Sequence, residues 1–306
     1  MALVVTADMI IFFATLSFFA AIVNGGLGYG YSSISIPLAI LVLASRIINP
    51  AYVLLELILN VAILCFVGRK KIKTTYKRAM PVIISLIPGI TIGTLILGSV
   101  SPSNVKFIAY VTLLPLIFLQ IAGFRRSIKG EYKAGASLGV GTGLLYSLTT
   151  ISGPPLALFW NNQGLPKDEF KAAIAQIRVA ESSFTVVAYY FAGIFNSSTT
   201  VSIFAMIAPS ALVGIPIGMF VVRKISVETF RRLAMNFDAI IVGYGLSQVL
   251  MLVFKATVFE AYAFWSIILA LDLFLFFRYL KARNRLSQER EELVEKLEVP
   301  PRDGAG

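Results

Sequence analysis

The chain contains no histidine and a single cysteine, Cys65. A disulfide within the chain is therefore impossible. A zinc or haem centre lacks its usual ligands, and acid–base chemistry through imidazole is excluded. No cofactor or metal is expected, and an intramembrane enzyme would be short of a catalytic His, Cys or gathered carboxylates. Charge is scarce too. Only 14% of the residues are charged and 57% are hydrophobic, with a mean hydropathy of +0.82. Soluble domains carry about 25% charged residues. Stretches 9–45, 79–105, 134–166 and 199–222 hold no Lys, Arg, Asp or Glu at all. The first 23 residues lack the basic start of a cleavable signal peptide. No Gly-x-x-x-x-Gly-Lys-Ser/Thr loop is present, so ATP hydrolysis is not encoded here.

What is present is a set of long apolar runs. A run of 18 or more apolar residues reads as a transmembrane helix. Such spans are expected near 51–68, 80–98, 105–123, 176–192, 201–222, 233–250 and 258–277. Two further apolar units, near 8–44 and 134–160, are interrupted by Gly and Pro. The net charge of +11 fits the basic bias of cytoplasmic loops better than a nucleic-acid partner. Nearly all basic residues fall in loop 69–78, in 125–133, in 161–178, in 223–232 and after Phe277. The exceptions are Arg46, Lys106 and Lys255. The C-terminus is then cytoplasmic, on a multi-pass protein of the cell membrane. Its partners are membrane lipids and a small anionic substrate, and it is a monomer or a homodimer.

The sequence repeats. An offset of 125 places Glu56 on Glu181, Gly68 on Gly193, and Gly89 and Gly93 on Gly214 and Gly218. An offset of 118 places Gly25 on Gly143 and Pro37-Leu38-Ala39 on Pro155-Leu156-Ala157. Loop 69–78 is strongly basic and its counterpart near 194–203 is not. Matching positions thus lie on opposite sides of the membrane. The expected fold is an all-α polytopic membrane protein built from two inverted-topology repeats. Each has a Gly/Pro-broken re-entrant unit plus three spanning helices, and one extra transmembrane helix follows. The units are 1–123, 134–250, 251–280 and a charged tail, 281–306. The tail should be a juxtamembrane helix that frays before Pro300, and Asp272 should reach the aqueous boundary.

Inverted repeats commonly place the substrate near the midplane, at broken helices. Broken helices expose N–H groups that favour an anion. The first broken unit offers Asn24, Gly25, Gly26, Gly28, Tyr29, Gly30, Ser32 and Ser33. The second offers Gly143, Tyr146, Ser147, Thr149, Thr150, Ser152, Gly153 and Pro154. These are the candidate substrate-binding residues, with the tyrosines also able to gate. Glycines can equally serve helix packing, the reading preferred for Gly89/Gly93 and Gly214/Gly218. Ionisable residues inside the membrane are functional by default. Glu56, Arg178, Glu181 and Asp238 are therefore candidates for coupling or gating, or else for structural ion pairs.

The two broken units resemble the TauE/SafE family of sulfite-exporter-like membrane proteins. The residues that carry the resemblance are Gly25-Gly26-x-Gly28-x-Gly30 followed by Pro37-Leu38, and Gly139-x-Gly141-x-Gly143 followed by Gly153-Pro154-Pro155-Leu156. Leu27 and Tyr29 interrupt the first run. The resemblance implies a secondary transporter exporting sulfite or an organosulfonate, ion- or proton-coupled. A passive small-anion channel of the same architecture is the alternative.

Overall fold

The computed structural model describes residues 6–123, 128–224 and 227–298. Arg125 and Arg126, and the tail from Val299 onward, lie outside the described residues. Eleven helices run through the described chain: α1 (Ala7–Leu27), α2 (Tyr31–Val42), α3 (Ser45–Val67), α4 (Arg69–Ser99), α5 (Pro102–Ile121), α6 (Glu131–Thr149), α7 (Gly153–Asn162), α8 (Lys167–Phe191), α9 (Ser197–Lys224), α10 (Val227–Phe254) and α11 (Val258–Glu298). Seven of them, α1, α3, α4, α5, α9, α10 and α11, are long and apolar enough to cross a membrane. In a bilayer every backbone polar group must be satisfied within the segment, and a helix does this.

Helix α8 has 25 residues, about 37 Å at 1.5 Å per residue. It is long enough to cross, yet Arg178, Glu181 and Gln176 keep it out of the apolar set. The side chains that make it polar are buried against protein instead of facing lipid. Conversely, α1 is apolar enough to cross by itself, although it belongs to the interrupted unit near 8–44 that was expected to be re-entrant. Its C-terminus shows the difference from a through-going helix. Gly28 and Gly30 both take φ near +84° and +109°, a conformation that glycine adopts at little cost. The chain then turns back: Ile34 and Leu38 of α2 share a groove with Asp8, Ile11, Phe12 and Leu16 of α1. The second unit behaves alike. A Cβ on Gly135 of α6 would lie 3.9 Å from Phe159 of α7. Both units are a long arm and a short return arm, not two equal halves.

The helices pack in matching pairs. Helix α4 lies along α6 and α1 lies along α9, α3 meets α8, and α5 meets α10. Glycines let the first two pairs approach to backbone contact. A Cβ on Gly89 or Gly93 would meet Val140 O at 2.2 Å and Leu144 O at 2.6 Å. On Gly214 and Gly218 it would meet Phe18 O at 2.6 Å and Ile22 O at 1.9 Å. Phe18 and Ile22 thus correspond to Val140 and Leu144, an offset of 122 (140 against 18, 144 against 22). The helix ends agree, with 149 against 27 and 153 against 31. The offset of 118 read from Gly25 and Pro37-Leu38-Ala39 is therefore corrected. Those matches are coincidences of composition, whereas close backbone approach dictates where a small residue must sit. With the right offset, Ser17, Ala21 and Gly25 fall on Gly139, Gly143 and Ser147, two ridges of small residues at four-residue spacing.

Helix α11 packs mainly on α10, and most of its apolar window is exposed. It continues as a helix to Glu298, so the described part of the tail is the expected extension. Asp272 is buried, and among the described residues its Oδ1 has no partner.

Candidate functional site

Helix α3 begins at Ser45 and α8 at Lys167, well before the apolar runs at 51 and 176. Their first turns carry Arg46, Asn49 and Pro50, and Lys167, Asp168 and Glu169, which a hydropathy reading assigns to loops. The consequence is positional. Glu56 stands at the centre of α3, and Arg178 and Glu181 flank the centre of α8. Both helices, at about 35 Å, are as long as a bilayer's apolar layer of about 30 Å is thick, and these three residues stand near the middle of them. The breaks at 28–30 and 150–152 reach these residues, through Ser32 on Arg178 and Ser152 on Glu181.

Arg178 is fully buried. Its Nη2 donates to Ser32 Oγ at 3.2 Å and pairs with Glu56 Oε1. Among the described residues, its Nε and Nη1 have no partner. Glu56 Oε2 accepts from the Tyr146 hydroxyl at 2.8 Å, and that hydroxyl also lies 2.8 Å from Ser182 Oγ. Glu181 accepts from Ser152 Oγ through Oε2, while Oε1 has no partner. Gly153 opens α7 directly beside the guanidinium. A Cβ there would come within 3.3 Å of Arg178 Nη1 and of Tyr29 Cδ2. Tyr29 donates its hydroxyl to Gln120 Oε1 at 3.0 Å, and Gln120 Nε2 donates to Pro154 O at 3.1 Å. One polar cluster therefore joins both breaks to the middle of α3 and α8.

Two short helices aim their N-termini at this cluster, and such ends are natural anion sites. They are not equivalent. Pro154 and Pro155 carry no N–H, so α7 offers few donors. Helix α2 begins Tyr31-Ser32-Ser33, with its N-cap at Gly30. Arg178 is likewise unmatched, since its repeat counterpart is Val53. The site is built from a duplicated frame with single-copy charge.

Of the residues singled out from sequence, the structure gathers Tyr29, Ser32, Tyr146, Ser152, Gly153, Pro154, Glu56, Arg178 and Glu181. Thr150 ends α6 at φ 57°, unusual for a β-branched residue and a mark of backbone strain. Its hydroxyl and that of Thr149 bond the local backbone. Gly25, Gly26, Gly143 and Ser147 sit on helix contacts: Gly25 against Ile215, Gly26 against Phe230, Gly143 against Leu86, Ser147 against Gly93. Gly28 lies under the Lys171 side chain, whose Nζ donates to Gly25 O at 3.2 Å. Ser33 bonds Gly30 O at 3.2 Å and stands beside Asp238. Asn24 is buried with its amide nitrogen unpartnered. Gln120, Ser182 and Lys171 were not foreseen. Gln120 is the one amide in the apolar stretch of α5 after Lys106, which was signal enough to flag it. Among the described residues, no group of His, Cys, Asp and Glu is arranged to hold a metal ion.

The sequence matches the family described as Sulfite exporter TauE/SafE over residues 13–246. The chain belongs to the TauE/SafE family. No match was found among curated proteins or solved structures. This TauE/SafE protein is a multi-pass membrane transporter of the sulfur-anion exporter type. The matched range covers both breaks and every residue of the central cluster, and it stops before α11. Helix α11 lies outside the matched range.

Proposed function

We propose that this protein exports sulfite or a small organosulfonate, held at mid-depth between the two broken units. The observation that carries the proposal is Arg178, wholly buried with two of its three nitrogens unpartnered. A guanidinium presents five donors, and leaving them unmet in a dry interior is unfavourable. An oxyanion would meet them, with the α2 N-terminus, Ser32 and Ser152 supplying neutral donors around its other oxygens. To enter, it competes with Glu56 for Arg178. Two carboxylates and one guanidinium already carry a net negative charge if all are ionised, so anion entry is linked to the uptake of a proton or another cation. A tightly paired site would bind without releasing. A site whose cation is shared with Glu56 returns to its own pair once the anion leaves.

The substrate-binding set is then Ser32, Ser152, Gly153 and Arg178, with Tyr29 and Tyr146 as gating and anchoring hydroxyls. The wider candidate set from sequence (Asn24, Gly28, Gly30, Ser33, Thr149 and Thr150) shapes the breaks. The two repeats stand in opposite membrane orientations and expose the site alternately, with the C-terminus in the cytoplasm. Burial of the cluster under Tyr29, which packs edge-on against Phe170 with ring centroids 6.0 Å apart, favours an alternating transporter over the channel alternative. The test is radiolabelled sulfite uptake into proteoliposomes, with and without a pH gradient, and with organosulfonates and sulfate as competitors. Saturable, gradient-sensitive uptake is the expected result. Folded protein that moves no sulfite and no sulfonate contradicts the proposal.

A further inference from the structure

Asp238 lies in α10, on the far side of the first break from Arg178. Its repeat counterpart is Leu113, so nothing in the duplicated frame requires a carboxylate there. It is 0% exposed, and neither oxygen has a hydrogen-bond partner. The Ser33 hydroxyl stands close enough to act on the carboxyl but donates to Gly30 O, and neither Asp238 oxygen is within hydrogen-bond geometry of it. Tyr29 is the titratable group that faces it across the break. Arg231 and Glu228, two turns or more earlier on α10, form an ion pair at 2.7 Å and lie near enough to act on Tyr29. Tyr110 of α5 reaches α10 at Gly245, two turns further on. Helix α11 meets the opposite face of α10, through Trp265 on Ile240 and Ile268 beside Gly243. Asp272 belongs to that face. Among the described residues, no arginine or lysine thus stands against Asp238.

A bare carboxylate without partners in a dry interior is strongly disfavoured, and the group must neutralise or find a cation. Glu56 differs, being held by Arg178 and Tyr146, and Glu181 has Ser152. Two oxygens and one nearby hydroxyl are also a thin set for a hard cation, which asks for six or more oxygens. We propose that Asp238 is the proton-carrying residue of the transport cycle and that it signals to the anion site through the first turn of α2. The geometry for that signal is a single peptide step. Ser33 meets Asp238 on one side of the turn, and Ser32 meets Arg178 on the other. Loss of the proton leaves a carboxylate that recruits the Ser33 hydroxyl away from Gly30. That shifts the turn on which Ser32 and the α2 N–H groups are mounted.

This inference rests on the anion reading above, and the experiment separates the two. In proteoliposomes, wild type and Asp238→Asn are compared for sulfite exchange at equal pH and for net uptake driven by a pH gradient. Infrared difference spectra of the same proteins, recorded against pH without any anion, report the carbonyl stretch of a protonated carboxyl. Asp238→Asn should keep exchange, lose gradient-driven uptake and lack one carboxylic-acid band present in the wild type. Ser33→Ala should shift that band. The inference is overturned by gradient-driven uptake that survives Asp238→Asn, by uptake that follows sodium instead of protons, by a normally folded Asp238→Asn that loses exchange as well, or by an acid band that neither substitution alters. A wild type with no sulfite exchange but with the Asp238 band sinks the anion reading alone.

Discussion

The informative residues are those whose charge is single in a duplicated frame. Glu56 and Glu181 are related by the repeat, and both were visible in the sequence. What the sequence did not show is that one guanidinium sits between them, pairs with only one, and keeps two nitrogens open. Arg178 stands three residues before Glu181 in the sequence, but the structure pairs it with Glu56 of α3. Removing one member of a buried ion pair leaves an uncompensated charge, which typically destabilises by about 3–5 kcal/mol. Arg178→Ala should therefore lower the melting temperature in detergent sharply, and a melt like that of the wild type would show that Glu56 is neutral without it. Tyr146→Phe removes the hydroxyl that bridges Glu56 and Ser182. It should lower stability by about 1–3 kcal/mol, as an acceptor loses its donor, and it should weaken sulfite exchange without changing the sidedness of transport.

At the scale of elements, most helices were legible because apolar runs of membrane length leave few other readings. Boundaries were less so. Helices α3 and α8 start six to nine residues before their apolar runs, since polar first turns look like loops in a hydropathy reading. The shift matters, because it moves Glu56 and Glu181 from near the helix starts to the middle. The glycine runs were legible as motifs, but their division of labour was not. In Gly139-x-Gly141-x-Gly143 the outer two face α4 backbone, whereas a Cβ on Gly141 would meet nothing within 4 Å. Gly141→Ala should therefore be neutral or stabilising by up to about 1 kcal/mol, the helix-propensity difference. Gly139→Ala, whose Cβ would meet Val82 O at 2.3 Å, should destabilise by about 1–3 kcal/mol through overpacking. Thermal melts of the two variants in one detergent decide the matter. Equal melts would mean that α4 and α6 do not approach as described.

For the whole molecule, paired packing of α4 on α6 and α1 on α9 is what a duplicated architecture requires, and the loop charges are the ground for proposing that its halves stand in opposite orientations. With Cys65 replaced by Ser, single cysteines at Lys73 and at Ser198 should react with a membrane-impermeant maleimide from opposite sides, Lys73→Cys from the cytoplasm. Reaction from one side would refute the inverted orientation. The central claim is that the buried pair serves the anion and not merely the fold. Replacing both members of a buried pair by neutral groups of similar volume is often tolerated, so Glu56→Gln with Arg178→Met should fold. The measurement is radiolabelled sulfite exchange by this double variant in proteoliposomes, beside a melt that shows it is folded. The account predicts a folded protein that exchanges no sulfite. Exchange at the wild-type rate would contradict it, because Arg178 would then be a structural ion pair and the anion would bind elsewhere.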